Sequence, residues 1–143
     1  MAYNRIVHIK LDHIGICSFI HISSADATAH MGNYYNWYTA TAGTGTYSSG
    51  YQTVAGSSIC PKGWTLPTGG DGTASNTTNA NVILGGQYSY FGSVGSQGNG
   101  GYHWSSAAYD SNNAYSLNFY SSYVYPTHNY GKAVGNSVRC VAQ

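Results

Sequence analysis

The clearest pattern in this sequence is an alternation of side-chain types in its C-terminal third. Along residues 114–119 the odd positions are Tyr115, Leu117 and Phe119, whereas the even positions are small or polar and lead on to Tyr120. A period of two residues is the period of a β-strand with one buried and one exposed face. We therefore expect antiparallel strands in this part of the chain, with the odd positions in the core.

The remainder of the chain predicts shorter elements. Residues 5–10 alternate as a strand would, residues 23–30 begin with capping residues typical of a short helix, and residues 137–142 alternate as a final strand. Apolar residues at helical spacing never run long enough for helices to dominate. The expected fold class is α+β and β-rich, with antiparallel strands, one or two short helices and long irregular loops. A chain of 143 residues suits a single domain, so we expect one domain over residues 1–143.

The composition limits the classes of partner. Charged residues are 6% of the chain, Glu is absent, and the net charge is +1. The five scattered cations form no stripe that could neutralise phosphates, so nucleic acid is not expected as a partner. The longest apolar segment is about half of the roughly 20 residues that a transmembrane helix needs, so membrane insertion is not expected. No secretory signal is visible, and we expect the protein on a virion or at the cell surface.

Candidate catalytic and metal-binding residues are few. The histidines and cysteines show no spacing typical of metal ligands, and the four aspartates are spread from Asp12 to Asp110. No serine lies in a Gly-x-Ser-x-Gly turn, and the glycine-rich segments lack the lysine of a phosphate-binding loop. We therefore expect no metal, no cofactor and no enzymatic activity.

The aromatic residues favour a binding function instead. We expect the three tryptophans, Trp37, Trp64 and Trp104, in the core. Leu117, Phe119 and Val138 are expected to be buried as well. Seven of the fifteen tyrosines lie between Tyr102 and Tyr130, among Ser, Asn and Gly residues. Such a composition supplies rigid amphipathic contact area with adaptable hydrogen bonding, as antibody-like binding surfaces do.

Three segments in order carry a family resemblance. They are residues 32–38 (GNYYNWY), residues 59–68 (ICPKGWTLPT), and a C-terminal set that runs from Trp104-Ser105-Ser106 to residues 137–141 (SVRCV). This order resembles the Fibrobacter-type major paralogous domain and related C-type-lectin-like folds of the formylglycine-generating-enzyme kind. The resemblance covers about residues 32–143, and residues 1–31 match poorly.

The resemblance has consequences for the cysteines. It implies a disulfide between Cys60 and Cys140, with Cys17 left free, whereas two buried thiols would be the alternative. The calcium-binding motifs of sugar-binding lectins and the catalytic cysteines of formylglycine-generating enzymes have no match here. The helix that usually follows the Leu-Pro-Thr motif looks replaced by residues 69–72.

The same scaffold hosts the variable proteins of diversity-generating retroelements, whose template adenines are randomised so that Asn codons become many other codons. Residues 102–137 resemble such a product, because framework asparagines are interleaved with residues reachable from an Asn codon. The resemblance implies that this segment is a variable binding region. The expected ligand-binding residues are His103, Tyr109, Asp110, Ser116, Tyr120, Tyr123, Tyr125, His128, Tyr130 and Val134.

Two functions from different classes follow. The first is a ligand-binding protein that displays a diversified Tyr/Ser/Asn-rich surface on a C-type-lectin-like scaffold and binds a protein or cell-surface target. The alternative is an invariant structural or adhesive domain of a surface protein. An enzyme ranks third.

Overall fold

The computed structural model describes residues 33–46, 50–69, 84–120 and 122–142. The strand and helix predicted within residues 5–30, and the free Cys17, lie outside these ranges. The described residues form a β-rich structure with antiparallel sheets and one short helix, as the sequence predicts.

The largest sheet is an antiparallel meander of three strands. It consists of β4 (Gly100–Ala108), β5 (Asn113–Tyr120) and β6 (Val124–Gly131), in the order β4-β5-β6. Tyr102 of β4 pairs with Asn118 of β5. The predicted antiparallel strands of the C-terminal third are therefore confirmed.

The central strand of this sheet differs from the expectation that one face would be exposed. All residues from Ala114 to Phe119 are buried, including the polar Ser116 and Asn118. The strand is hydrogen-bonded along both edges and covered on both faces, so the period of two no longer separates core from solvent. Ser116 Oγ donates to Asn118 Oδ1 over 2.9 Å, which satisfies part of the buried polarity.

The hydrophobic core joins this sheet to the helix. α1 (Trp37–Ala40) begins after Asn36, whose side-chain oxygen accepts from the Thr39 amide, as an N-cap does. Trp37 and Ala40 pack with Trp104, Leu66, Ala108 and Ala114. Both buried indoles are hydrogen-bonded, Trp37 to the Ser105 carbonyl and Trp104 to the Tyr35 carbonyl. The prediction that these two tryptophans belong to the core is confirmed.

A buried cation ties the loops to this core. The side chain of Lys132 is fully buried, and its ammonium donates to the carbonyl oxygens of Thr46 (2.9 Å) and Ser111 (3.1 Å). It also lies 4.9 Å from the centre of the Trp37 ring, within the range of a cation–π contact. Burial lowers the pKa of Lys132, and the nearby Asp110 carboxylate opposes that change.

Two short ladders complete the described structure. β1 (Trp64–Thr65) pairs with β7 (Val141–Ala142) in antiparallel fashion, and β2 (Gln87–Tyr88) forms a hairpin with β3 (Val94–Gly95). The disulfide implied by the resemblance is present: Cys60 and Cys140 are bonded, with their Cα atoms 5.8 Å apart. The predicted strand at residues 137–142 is shorter than expected, because only its last part forms a ladder.

Trp64 is not a core residue, contrary to expectation. Its side chain is 49% exposed at the outer edge of the β1–β7 ladder. A two-residue strand at the rim of the fold has nothing to cover the outer side of a large ring.

Within the described ranges, no helix is long and apolar enough to cross a membrane.

Candidate functional site

A row of aromatic rings begins at the end of β5 and continues along β6, the outer strand of the main sheet. We call it the tyrosine ladder, and it consists of Tyr120, Tyr123, Tyr125, His128 and Tyr130. Consecutive ring centres lie 4.6 Å, 5.1 Å, 5.9 Å and 5.1 Å apart, so the five rings form one continuous surface. Tyr123 and Tyr125 are about half exposed, His128 is exposed, and the two end members are partly buried.

A β-bulge in β6 places these rings on one side. Ser116 pairs with His128 and Asn118 pairs with Tyr125, so two steps on β5 face three steps on β6. The extra residue lies within residues 126–127. In a regular strand, positions three apart point to opposite faces, and the inserted residue brings Tyr125 and His128 to the same face.

The ladder rests on a buried tyrosine. Tyr102 is 3% exposed, and its ring meets those of Tyr120 and Tyr130 edge to face, at 6.0 Å and 5.5 Å. Its hydroxyl is 3.0 Å from the Tyr120 hydroxyl. Edge-to-face contacts and a hydrogen bond from below hold the two end rings in fixed positions.

None of the five residues of the ladder is Asp, Glu, Lys or Arg. The hydrogen bond with Tyr102, aided by burial, raises the pKa of the Tyr120 phenol. Burial likewise raises the pKa of Tyr130, although a side-chain hydrogen bond with Gln87 opposes the change. Neutral phenols can both donate and accept hydrogen bonds, so the ladder offers apolar ring area bordered by adaptable hydroxyl groups.

The β2–β3 hairpin extends this surface, which the sequence did not predict. The Tyr90 hydroxyl fills the space that a Cβ atom at Gly131 would occupy, at the end of β6. Beside it Phe91 is 95% exposed at the tip of the hairpin. The pair of aromatic residues between Ser89 and Gly92 was the available signal, but the surrounding glycines suggested only a loop.

The hairpin tip is held in place by hydrogen bonds. The Ser89 amide donates to the Ser93 carbonyl over 2.8 Å, and the Phe91 amide donates to Ser89 Oγ over 3.2 Å. Tyr88 and Gly135 exchange two backbone hydrogen bonds of 2.8 Å and 2.9 Å, which attach the hairpin to the segment after β6. Phe91 is therefore an apolar side chain presented to solvent by an ordered turn.

Two expected ligand-binding residues lie apart from the ladder. The Tyr109 ring contacts Tyr51 (6.2 Å) and Tyr115 (5.3 Å), which form a separate cluster near the β4–β5 turn. Asp110 Oδ1 accepts from the amides of Asn112 and Asn113 over 2.7 Å each, and its carboxylate also accepts from the Asn113 side chain. These hydrogen bonds, the side-chain one foremost, lower the pKa of Asp110. The carboxylate therefore stabilises the turn.

Three further expectations need correction. Ser116 is 1% exposed and Val134 is 3% exposed, so neither side chain can contact a ligand. Ser116 is a buried residue of the central strand β5, and Val134 lies in the tight turn after β6. His103 stacks on Phe119 with ring centres 5.3 Å apart, and both its ring nitrogens are buried without a hydrogen-bond partner in the described structure. Burial, with a smaller effect of Arg139, lowers the pKa of His103 to about 4.

The described residues contain no group of three or more His, Cys, Asp or Glu side chains that could hold a metal ion. In comparisons with known proteins, this chain matches no family model, no curated protein and no solved structure.

Proposed function

We propose that this protein is a ligand-binding protein, that it displays a diversified aromatic surface on a C-type-lectin-like scaffold, and that it binds a protein or cell-surface target. The observation that carries the proposal is the tyrosine ladder: five aromatic rings in continuous contact from the end of β5 along β6. Contiguous aromatic area that is exposed on an ordered protein is typical of a contact surface.

The arrangement of the rings favours a macromolecule of irregular shape. The planes of neighbouring rings are inclined by 32°, 65°, 57° and 27°, so the ladder has no single flat face on which bases could stack. An uneven aromatic surface of this kind is suited to protein targets, because tyrosine supplies large contact area with few rotatable bonds. Phe91, at the adjoining hairpin tip, adds an apolar anchor of the kind that fills a pocket on a partner.

The different costs of substitution at exposed and at buried positions support a surface that tolerates many residue types. Exposed positions usually alter the free energy of unfolding by less than about 0.5 kcal/mol, whereas removal of a buried large side chain costs about 3–5 kcal/mol. Tyr123, Tyr125 and His128 are exposed, whereas Tyr102, which contacts the two end rings of the ladder, is buried. A surface that accepts many residue types can therefore consist of the exposed residues alone, because substitutions at the buried residues would unfold the protein.

The C-type-lectin-like scaffold is part of the proposal. The disulfide and the β1–β7 ladder bring the end of the described chain back to residues 60–65, beside the three-stranded sheet. Such closure by the last strand agrees with the resemblance carried by the three sequence segments.

A display library tests the binding function. Tyr123, Tyr125 and His128 would be randomised together, displayed on yeast, and selected against a panel of purified cell-surface proteins. We expect folded clones with nearly unchanged melting temperatures, some of which bind single targets. A matched library at Tyr102 and its buried neighbours Trp104 and Leu117 should yield mostly unfolded clones. Loss of folding in the first library, or no binder from it, would contradict the proposal.

A genomic observation tests the diversification separately. A reverse-transcriptase gene and a near-repeat of the codons for residues 102–140, differing at template adenines, are expected close to the gene. If the genome holds no such repeat, the aromatic surface is invariant and the protein is better explained as an adhesive domain.

A further inference from the structure

A cleft of about 710 Å³ lies beside the disulfide, away from the tyrosine ladder. One wall is formed by residues 54–58 and the other by residues 60–68, and Ser106 of β4 lies at the floor between them. The Ser106 amide donates to the Pro67 carbonyl over 2.9 Å, and its carbonyl accepts from the Ala55 amide over 2.8 Å. A single residue of the main sheet thus bonds to both walls and sets their separation.

Both walls are also fixed from outside. Residue Cys60 is held by the disulfide, and Trp64 by its pairing with Ala142. The Ser57 amide donates to Thr44 Oγ1 over 3.0 Å, which anchors the opposite wall. The cleft is therefore formed before any ligand arrives, and its volume falls within the range of about 300–1,000 Å³ typical of small-molecule sites.

The lining combines three kinds of group. The half-exposed indole of Trp64 supplies a flat apolar face, and the Lys62 side chain, exposed beside it, supplies a positive charge. The hydroxyl groups belong to Ser57, Ser58, Thr65, Thr68 and Ser106. Among the residues described, no acidic side chain lines the cleft.

We propose that this cleft binds an acidic saccharide. The apolar face of a pyranose ring would lie against the Trp64 indole, its hydroxyl groups would exchange hydrogen bonds with the serines and threonines, and its carboxylate would lie beside Lys62. A lining with one cation and no anion selects a ligand that carries negative charge. This site is independent of the proposed function, because it shares no residue with the tyrosine ladder.

The three tryptophans provide a selective probe. Trp37 and Trp104 are 0% exposed and Trp64 is 49% exposed, so a soluble ligand changes the emission of Trp64 foremost. Fluorescence titrations with glucuronate and with glucose would use the intact chain. We expect a saturable change with both sugars, and glucuronate should bind about three- to fivefold more tightly, the effect of one solvent-accessible ion pair.

Substitutions assign the contacts. Lys62→Gln should reduce glucuronate affinity to that of glucose, whereas Arg139→Gln, which removes an exposed cation outside the cleft lining, should leave both affinities unchanged. Trp64→Ala should abolish binding as measured by saturation-transfer NMR on the sugar. Tyr51→Asn, a change at an exposed ring outside the cleft lining, should not affect binding.

Melting curves establish that each variant is folded. The proposal is wrong if neither sugar gives a saturable signal at millimolar concentration, or if Lys62→Gln leaves the preference for glucuronate intact. It is also wrong if folded Trp64→Ala still binds. None of these outcomes bears on the selections at the tyrosine ladder, so failure of one proposal is distinguishable from failure of the other.

Discussion

His103 should make the protein sensitive to mild acid. Its ring nitrogens are buried without partners in the described structure, its ring stacks on Phe119, and its charged form is further disfavoured by Arg139. In the folded chain the imidazole therefore stays neutral until the pH approaches 4, whereas in the unfolded chain it takes up a proton below about 6.5. Between these values the unfolded state binds more protons, so the free energy of unfolding must fall as the pH falls.

The size of this effect follows from the two pKa values. Each tenfold difference in proton affinity corresponds to about 1.4 kcal/mol, so a change from 6.5 to about 4 amounts to about 3 kcal/mol. This is a large share of the roughly 5–15 kcal/mol that stabilises a typical domain. The free energy of unfolding keeps this full contribution above about pH 6.5 and loses it progressively as the pH falls to about 4.

The assay is urea unfolding of wild type and His103→Phe across that window. Phenylalanine keeps the stacking on Phe119 and removes the two unpartnered nitrogens, so the variant should be at least as stable at neutral pH and less sensitive to acid. His128→Asn, at an exposed histidine of the ladder, should retain the acid sensitivity of wild type. Equal pH slopes for wild type and His103→Phe would refute the reasoning.

Three further predictions concern stability and are checked by chemical unfolding. Lys132→Met should lose about 2–3 kcal/mol, because the buried side chain loses its hydrogen bonds to the Thr46 and Ser111 carbonyls and its cation–π contact with Trp37, whereas Lys62→Met, at an exposed lysine, should change stability by less than about 0.5 kcal/mol. Reduction of the disulfide should cost about 4 kcal/mol, since it closes a separation of 80 residues, and an unchanged unfolding midpoint would contradict this. Gly86→Ala should cost clearly more than Gly92→Ala: both positions have positive φ, but only at Gly86 would the new Cβ meet a backbone carbonyl, that of Gly95. Equal losses at the two glycines would show that the close approach does not matter.

The sequence pattern predicted those features that depend on local alternation. Strand β5 follows from the period of two at residues 114–119, whereas the helix at Trp37 was not predicted, since the expected helix at residues 23–30 lies outside the described residues. The two buried tryptophans were expected because large apolar rings gain most from burial. The disulfide followed from the family resemblance, since the spacing of three cysteines alone left its presence open.

Other features depend on what packs against a residue from elsewhere in the chain. Ser116 and Asn118 look like solvent-facing positions, yet a second covering layer buries them. Trp64 looks like core, yet it lies at a rim where nothing covers its outer side. Phe91 lies at the tip of a hairpin whose two-residue strands leave almost no periodic signal in the sequence.

The bulge in β6 has a consequence for how this surface could change over time. The side on which Tyr123 and Tyr125 lie depends on a count, the single extra residue within positions 126–127, as well as on residue identity. Deleting that residue would rotate the first part of the strand by half a repeat and turn both rings toward the opposite side of the sheet. Substitution can therefore rewrite the chemistry of the ladder one position at a time, whereas a change of length by one codon would exchange an entire set of side chains in a single step.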